Sequence, residues 1–254
     1  GFVVDPLGEA AARRTSGLLQ KYAGRALLIT TGACAVHCRY CFRRDYDYAA
    51  EAALDPALAL IAADPTLEEV LLSGGDPLVL SDRRLGSLLR RLREMPHVQR
   101  IRIHTRTPIV LPSRVDEGLL AALQEGASSS SASLVIVLHT NHAAELDDET
   151  SRAVRCLARS GATLLNQAVL LRDINDSSEA LTALSRRLFA AGVLPYYLHL
   201  LDPVEGVAHF DVPVERAREL MRGISALLPG YLVPRLVREI AGAANKTPID
   251  LQFD

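Results

Sequence analysis

Ala26-Leu-Leu-Ile-Thr-Thr31-Gly-Ala-Cys34-Ala-Val-His-Cys38-Arg-Tyr-Cys41 joins an apolar, β-branched run to three cysteines in C-x3-C-x2-C spacing. The run reads as a buried strand, so the cysteines stand at its carboxyl end. Three of the chain's four cysteines fall within these eight residues. Close thiolates bind a soft metal or a cluster: structural zinc takes a fourth protein ligand, whereas an iron-sulfur cube held by three cysteines leaves one iron open. A zinc knuckle completed by His37 or a distant histidine is the alternative at this point. A disulfide framework does not suit a chain of this length with so few cysteines. Cys156, in Ser151-Arg-Ala-Val-Arg-Cys156-Leu-Ala158, is expected to pack in the core.

Outward from that stretch, short apolar runs alternate with amphipathic ones. Strands are expected at 26–31, 69–73, 100–105, 134–139, 163–170 and 195–201, with a further one within 231–238. Helices are expected at 56–63, 82–94, 116–124, 148–160, 177–191 and 213–228, several opening on Asp or Ser. Repeated βα units imply a parallel sheet, open or closed into a barrel, whose carboxyl edge carries the chemistry. Polar clusters fall at six successive strand ends: the cysteines, Ser73-Gly-Gly-Asp-Pro77, Thr105-Arg-Thr-Pro108, His139-Thr-Asn-His142, Asn166-Gln167 and His199-Leu-Leu-Asp202. The serine-rich stretch 127–132 reads as a surface loop.

At 254 residues the chain fits one large α/β domain. A net charge of -2 argues against a basic nucleic-acid surface. No run approaches the roughly 20 apolar residues that span a bilayer, and no leader pattern is present, so a cytoplasmic protein without membrane partners is expected. Beginning at Gly1 without methionine, the sequence reads as a piece of a longer protein. Of 28 basic residues only Lys21 and Lys246 are lysine. Arginine can neither lose its proton nor form a Schiff base, and lysine can do both, so the two lysines are candidates for a needed amine.

Cys34, Cys38 and Cys41 after the first strand, with Ser73-Gly74-Gly75-Asp76 after the second, resemble the radical S-adenosylmethionine superfamily. Within it, Lys21-Tyr-Ala-Gly-Arg25, Cys38-Arg-Tyr-Cys-Phe-Arg43, Arg106-Thr-Pro-Ile-Val-Leu-Pro112, Asn166-Gln-Ala-Val-Leu-Leu171 and Lys246-Thr-Pro248 are similar to the lysine 2,3-aminomutases. The ending Leu236-Val-Arg-Glu-Ile-Ala-Gly-Ala-Ala-Asn-Lys-Thr-Pro248 looks most like the short bacterial branch that makes (R)-β-lysine for elongation factor P. The resemblance implies a partial (β/α)6 TIM-like barrel over 25–211. An N-terminal segment, 1–24, would precede it, and a C-terminal extension, 212–254, would carry the lysine that takes pyridoxal phosphate.

Residue by residue, it implies a [4Fe-4S] cluster on Cys34, Cys38 and Cys41, with S-adenosylmethionine on the open iron and beside Ser73, Gly74, Gly75, Asp76, His139 and Gln167. Near His139, His142 could exchange roles with it, while His97, His104, His199 and His209 are left as structural or cavity-lining. Lys246 would form the Schiff base with pyridoxal phosphate, whose phosphate falls to Arg25, Arg106 and Lys21, Lys21 standing where the family has arginine. The run before Lys246, Gly242-Ala-Ala-Asn245, has fewer glycines than the family's. Arg43 would grip the substrate α-carboxylate, and Asp202 and Glu239 its side-chain ammonium. An ion pair of Glu239 with Arg235 or Arg238 is the plain alternative.

The function implied is isomerisation of L-lysine to β-lysine, the R form, for elongation factor P modification. A reductant such as flavodoxin or ferredoxin is expected as partner, and further copies of the chain are allowed as partners. A catabolic lysine aminomutase or one acting on another amino acid, and a zinc-stabilised binding protein, are the alternatives.

Overall fold

Ten strands form one sheet in chain order in the computed structural model, which describes residues 1–48 and 54–251. Residues 252–254, the end of the expected C-terminal extension, lie outside the described residues. Two antiparallel strands, β1 (Arg13–Thr15) and β2 (Leu18–Tyr22), lead in. Seven parallel strands follow: β3 (Arg25–Thr31), β4 (Glu69–Gly74), β5 (Arg100–Thr105), β6 (Ser133–His139), β7 (Thr163–Val169), β8 (Leu194–His199) and β9 (Arg235–Arg238). A two-residue strand, β10 (Thr247–Pro248), returns antiparallel along β9.

Helices fill each crossover, as parallel strands require. They are α1 (Leu54–Ala63), α2 (Asp82–Arg93), the single turn α3 (Thr107–Val110), α4 (Glu117–Gln124), α5 (Asp148–Ala158), α6 (Ser178–Ala190) and α7 (Val214–Leu227). Asp116, Asp147 and Ser177 cap α4, α5 and α6 by accepting the N–H three residues on, which occupies donors that the first turn leaves open.

The strands' side-chain alternation divides the molecule into two layers. Ile101 and Ile103 of β5, Leu164 and Ala168 of β7, and Leu198 of β8 join the core under the helices, with Leu89, Leu123, Leu157 and Ile224. The intervening residues, Arg102, His104, Gln167, Val169, Tyr197 and His199, face a cavity on the concave side. Among the described residues no ladder joins β1 to β10, so the barrel is partial. The sheet runs without a break through the spans 1–24, 25–211 and 212–254. Val3 bridges to Val204, tying the chain's start to the loop after β8.

One detail departs from the sequence reading. Cys156, expected in the core, is half-buried: α5 turns Ala153, Val154 and Leu157 inward, leaving the cysteine at the helix flank beside Arg159. The glycines Gly74 and Gly75, expected beside S-adenosylmethionine, line the cavity and also make room for the cysteine loop. Gly75 N–H donates to Thr31 O at 2.7 Å and Asp76 N–H to Ala33 O at 2.8 Å. A Cβ on Gly75 would stand 2.2 Å from Ala33 O, and Gly74 has φ +111°, where L side chains are strained.

Among the described residues no helix is long and apolar enough to cross a membrane.

Gly75→Ala is expected to cost about 1–3 kcal/mol, the usual range for forcing atoms into a filled space, and to displace the loop that carries Cys34. Thermal unfolding would read a loss of several degrees, and anaerobic reconstitution would read reduced iron content. Gly230→Ala, at a site open to 4 Å, should change neither.

Candidate active site

All sixteen residues given a site role from the sequence line one cavity of about 420 Å³ on the concave face of the sheet, most of them at the carboxyl ends of the parallel strands. The three thiols come from the loop after β3, and Ser73 to Asp76 from the end of β4. Arg106, His139 and Gln167 come from β5 to β7, Asp202 from the loop after β8, Glu239 from the end of β9, and Lys246 from just before β10. Lys21 and Arg25 stand at the turn between β2 and β3. The parallel sheet gathers the loop residues by pointing the strand ends the same way, while Lys21 and Arg25 reach the cavity from the amino end of β3.

Cys34, Cys38 and Cys41 are free and half-buried. Burial first, then Asp76 and the neighbouring thiols Cys41 and Cys38, push Cys34 up to about 11. Such crowding disfavours thiolates until a cationic centre neutralises them, and this is the donor chemistry of a soft-metal or cluster site. As they stand, no three His, Cys, Asp or Glu side chains among the described residues form a metal-holding group.

Asp76 is a brace. Its Oδ1 accepts from Thr105 Oγ1 at 2.7 Å and Leu78 N–H at 3.0 Å, and its Oδ2 from Arg106 N–H at 2.7 Å and Thr107 N–H at 2.9 Å. These bonds tie the end of β4 to the end of β5. Gly74 O accepts from Tyr48 Oη at 2.9 Å. Arg106 lies on the thiol side: Nη1 donates to Cys38 Sγ at 3.3 Å and to Tyr40 Oη at 2.5 Å, and Nη2 to Glu145 Oε2 at 2.6 Å.

His139 and His142 take different places. His139 lines the cavity, and Gln167 Nε2 donates to its Nε2 at 2.9 Å. Burial, then Arg106, Lys246 and Arg43, hold His139 down at about 3, so the ring is neutral. His142 instead caps the turn Ala143–Glu145, its Nδ1 accepting from Ala144 N–H. His97 meets Ile61 O, and His209 stands near Arg39. His104 and His199 line the cavity with Nε2 atoms that have no hydrogen-bond partner among the described residues.

Opposite the thiols runs a chain of alternating charges. Glu239 pairs with Lys246 at 2.5 Å through Oε2 and with Lys21 at 3.1 Å through Oε1, not with Arg235 or Arg238. Burial acts to raise the Glu239 carboxyl, but Lys246 and Lys21 outweigh it and hold the group at about 2. Lys21 reaches Glu9 at 3.4 Å, and Glu9 grips Arg43 by two bonds of 2.7 Å. Beside this chain Asp202 is pushed up to about 7, by burial first and then by Glu239. Arg25 lies over the Tyr22 ring at 4.8 Å. Glu9, Tyr40 and Glu145 carry no role in the sequence reading. For Glu9 no motif or spacing pointed there.

No protein-family model matches the chain. It is similar to curated proteins described as L-lysine 2,3-aminomutase. That of Escherichia coli (strain K12) is 50% identical over 257 residues, covering all of this chain and 74% of the relative. That of Haemophilus influenzae is 44% identical, covering 97% and 73%. That of Clostridium subterminale is 37% identical, covering 96% and 59%. Among solved structures, a radical SAM methyltransferase from Sphaerobacter thermophilus aligns with TM-score 0.53 at 19% identity over 89% of this chain and 71% of its own. Native anSMEcpe with bound AdoMet aligns with TM-score 0.56 at 12% identity, over 79% and 59%. At these identities the solved structures speak for the fold.

The raised Asp202 gives a signed expectation. A carboxyl held near 7 in the fold, against an ordinary value of 3.8, favours the folded state at low pH and loses that contribution as pH rises through 7. Asp202→Asn should therefore gain more melting temperature over the parent at about pH 8 than at about pH 5, because the amide never ionises. A gain that is equal at both, or larger at the lower pH, would show that Asp202 titrates normally.

Proposed function

The chain belongs to the lysine 2,3-aminomutase family, whose members are isomerases, and from that premise we propose that it converts L-lysine to β-lysine in the cavity described above, using a [4Fe-4S] cluster, S-adenosylmethionine and pyridoxal phosphate. One observation carries the reading: the thiol triplet, an amine, a guanidinium and two carboxylates share a single cavity. When bound, the cluster and S-adenosylmethionine supply a carbon radical, and pyridoxal phosphate supplies the π-system through which an amino group migrates.

The chain's own residues then bind, orient and exclude water. Cys34, Cys38 and Cys41 are the cluster ligands, and Ser73 to Asp76, His139 and Gln167 form the wall beside S-adenosylmethionine. Asp76 works there by fixing the wall's shape, since its oxygens are taken up by main chain and Thr105. The neutral His139 ring can accept or donate without bringing a second cation next to a sulfonium. Lys246 offers the amine for pyridoxal phosphate, with the Glu239 carboxylate beside it to orient Nζ through a charge-assisted hydrogen bond. Lys21 and Arg25 supply positive charge for the cofactor's phosphate, while Arg106, expected in that set, is bonded on the thiol side to Cys38, Tyr40 and Glu145.

Substrate selection follows from charge. Arg43 suits an α-carboxylate, while Asp202 and Glu239 suit an ammonium and would repel a side-chain carboxylate. Asp202, held up to about 7, ionises more readily beside an ammonium, so an amine-ended substrate brings its own counter-charge into balance. The ending 236–248 supports the branch that makes (R)-β-lysine for elongation factor P, with flavodoxin or ferredoxin as reductant.

Anaerobic reconstitution with iron, sulfide, pyridoxal phosphate, S-adenosylmethionine and reductant should give turnover of L-lysine to (R)-β-lysine, read by chiral chromatography. A product of S configuration would overturn the branch. A colourless protein with one zinc and no iron would overturn the reaction itself.

A further inference from the structure

Glu9 lies outside every motif that reads as function, yet it is 3% exposed and bonded to two cations on the cavity wall. Its Oε2 accepts from Arg43 Nε and its Oε1 from Arg43 Nη2, both at 2.7 Å, and Oε1 stands 3.4 Å from Lys21 Nζ. The pairing is side-on to the guanidinium. A third bond, Arg43 Nη1 to Ser73 Oγ at 2.9 Å, comes from the end of β4. A guanidinium has five N–H donors, so these partners leave one on Nη1 and one on Nη2. Those two nitrogens are a fork that can receive a second carboxylate.

From this arrangement we propose that Glu9 is a positioning residue for the amino-acid substrate: it clamps Arg43 by one edge so that the opposite edge is presented, already oriented, to the substrate α-carboxylate. The inference rests on the reading of Arg43 and L-lysine proposed above. Charge supports it. Arg43 and Lys21 carry two positive charges against the one of Glu9, so the group as a whole still attracts an anion. A free arginine side chain loses rotamer freedom when it binds, and a buried, doubly held one has lost it beforehand. Glu9 also couples the two ends of the site, since Lys21 bridges it to Glu239 beside Lys246. The rival arrangement is competition, in which Glu9 occupies Arg43 in place of substrate and has to leave. The two arrangements predict opposite signs.

The test compares the reconstituted parent with E9Q and E9A. A charge-assisted hydrogen bond contributes about 1.5–3 kcal/mol, and each 1.4 kcal/mol is about tenfold in binding. KM for L-lysine should therefore rise about tenfold or more in E9Q, with kcat changed by less than about threefold. The rise in melting temperature given by saturating L-lysine should shrink in the same variant, while that given by 1,5-diaminopentane, which lacks the carboxylate, should be unchanged. E9A should go further in the same direction, and E9Q, of equal size, serves if E9A does not fold. A lower KM in E9Q would overturn the proposal in favour of competition. Equal changes for both ligands, or a loss of kcat with KM untouched, would overturn it in favour of a plain structural role. A parent enzyme that turns over no L-lysine would remove the substrate reading and this inference with it, whereas parent turnover with an unchanged E9Q removes the inference alone.

Discussion

The ion chain Arg43, Glu9, Lys21, Glu239, Lys246, buried at its first two members and half-buried beyond, is what joins the two sides of an open sheet around the site. The strands leave the barrel unjoined: β2 ends one side of the parallel set, and β9 with β10 ends the other. Lys21 sits on β2 and Glu239 directly after β9, so their 3.1 Å contact crosses that gap. Glu9 and Arg43 extend the chain towards the thiols, and Lys246 extends it to the last strand. Buried ion pairs are expensive to form and are weak grounds for stability, because desolvation offsets much of the attraction. Their value here is geometric. Each carboxylate is held by cations from two segments, which fixes where every charge in the cavity stands.

Electrostatic consequences follow from that arrangement. Glu239, between two ammonium groups, stays ionised at any ordinary pH, while Asp202, with no ion pair among the described residues, is pushed up to about 7 by burial and then by Glu239. Two carboxyl groups lining the same cavity thus have different tasks set by their surroundings: one holds lysines, the other waits for an incoming charge. On the far side, burial and then Asp76 and the neighbouring thiols raise Cys34, which suits a cationic centre. The cavity is therefore polarised, with thiols and Arg106 at one end and the ion chain at the other.

Much of this was legible in the sequence because it depends on local patterns. The 2-residue and 3.6-residue periodicities locate the βα units to within a few residues, and parallel topology then sends the special residues to one edge. The arginine bias drew attention to Lys21 and Lys246, and both line the cavity. What was not legible depends on contacts distant in sequence. Glu9 and Arg43 are 34 residues apart with no motif linking them. The strands β1 and β2 are short and partly polar, and they owe their form to pairing, β2 with β3 and β1 with β2. The carboxylate of Asp76 looked available for a ligand, but four bonds from the chain itself occupy it. The close packing of Ala33 O against Gly75 is likewise a contact between segments 42 residues apart.

The central claim is that, of the only two lysines in the chain, both in one cavity and both touching Glu239, Lys246 is the amine that takes pyridoxal phosphate while Lys21 remains a cation. Borohydride reduction of the reconstituted protein followed by peptide mass mapping reads this directly. The account predicts a pyridoxyl adduct on Lys246 and none on Lys21; an adduct on Lys21, or on neither lysine, would contradict it.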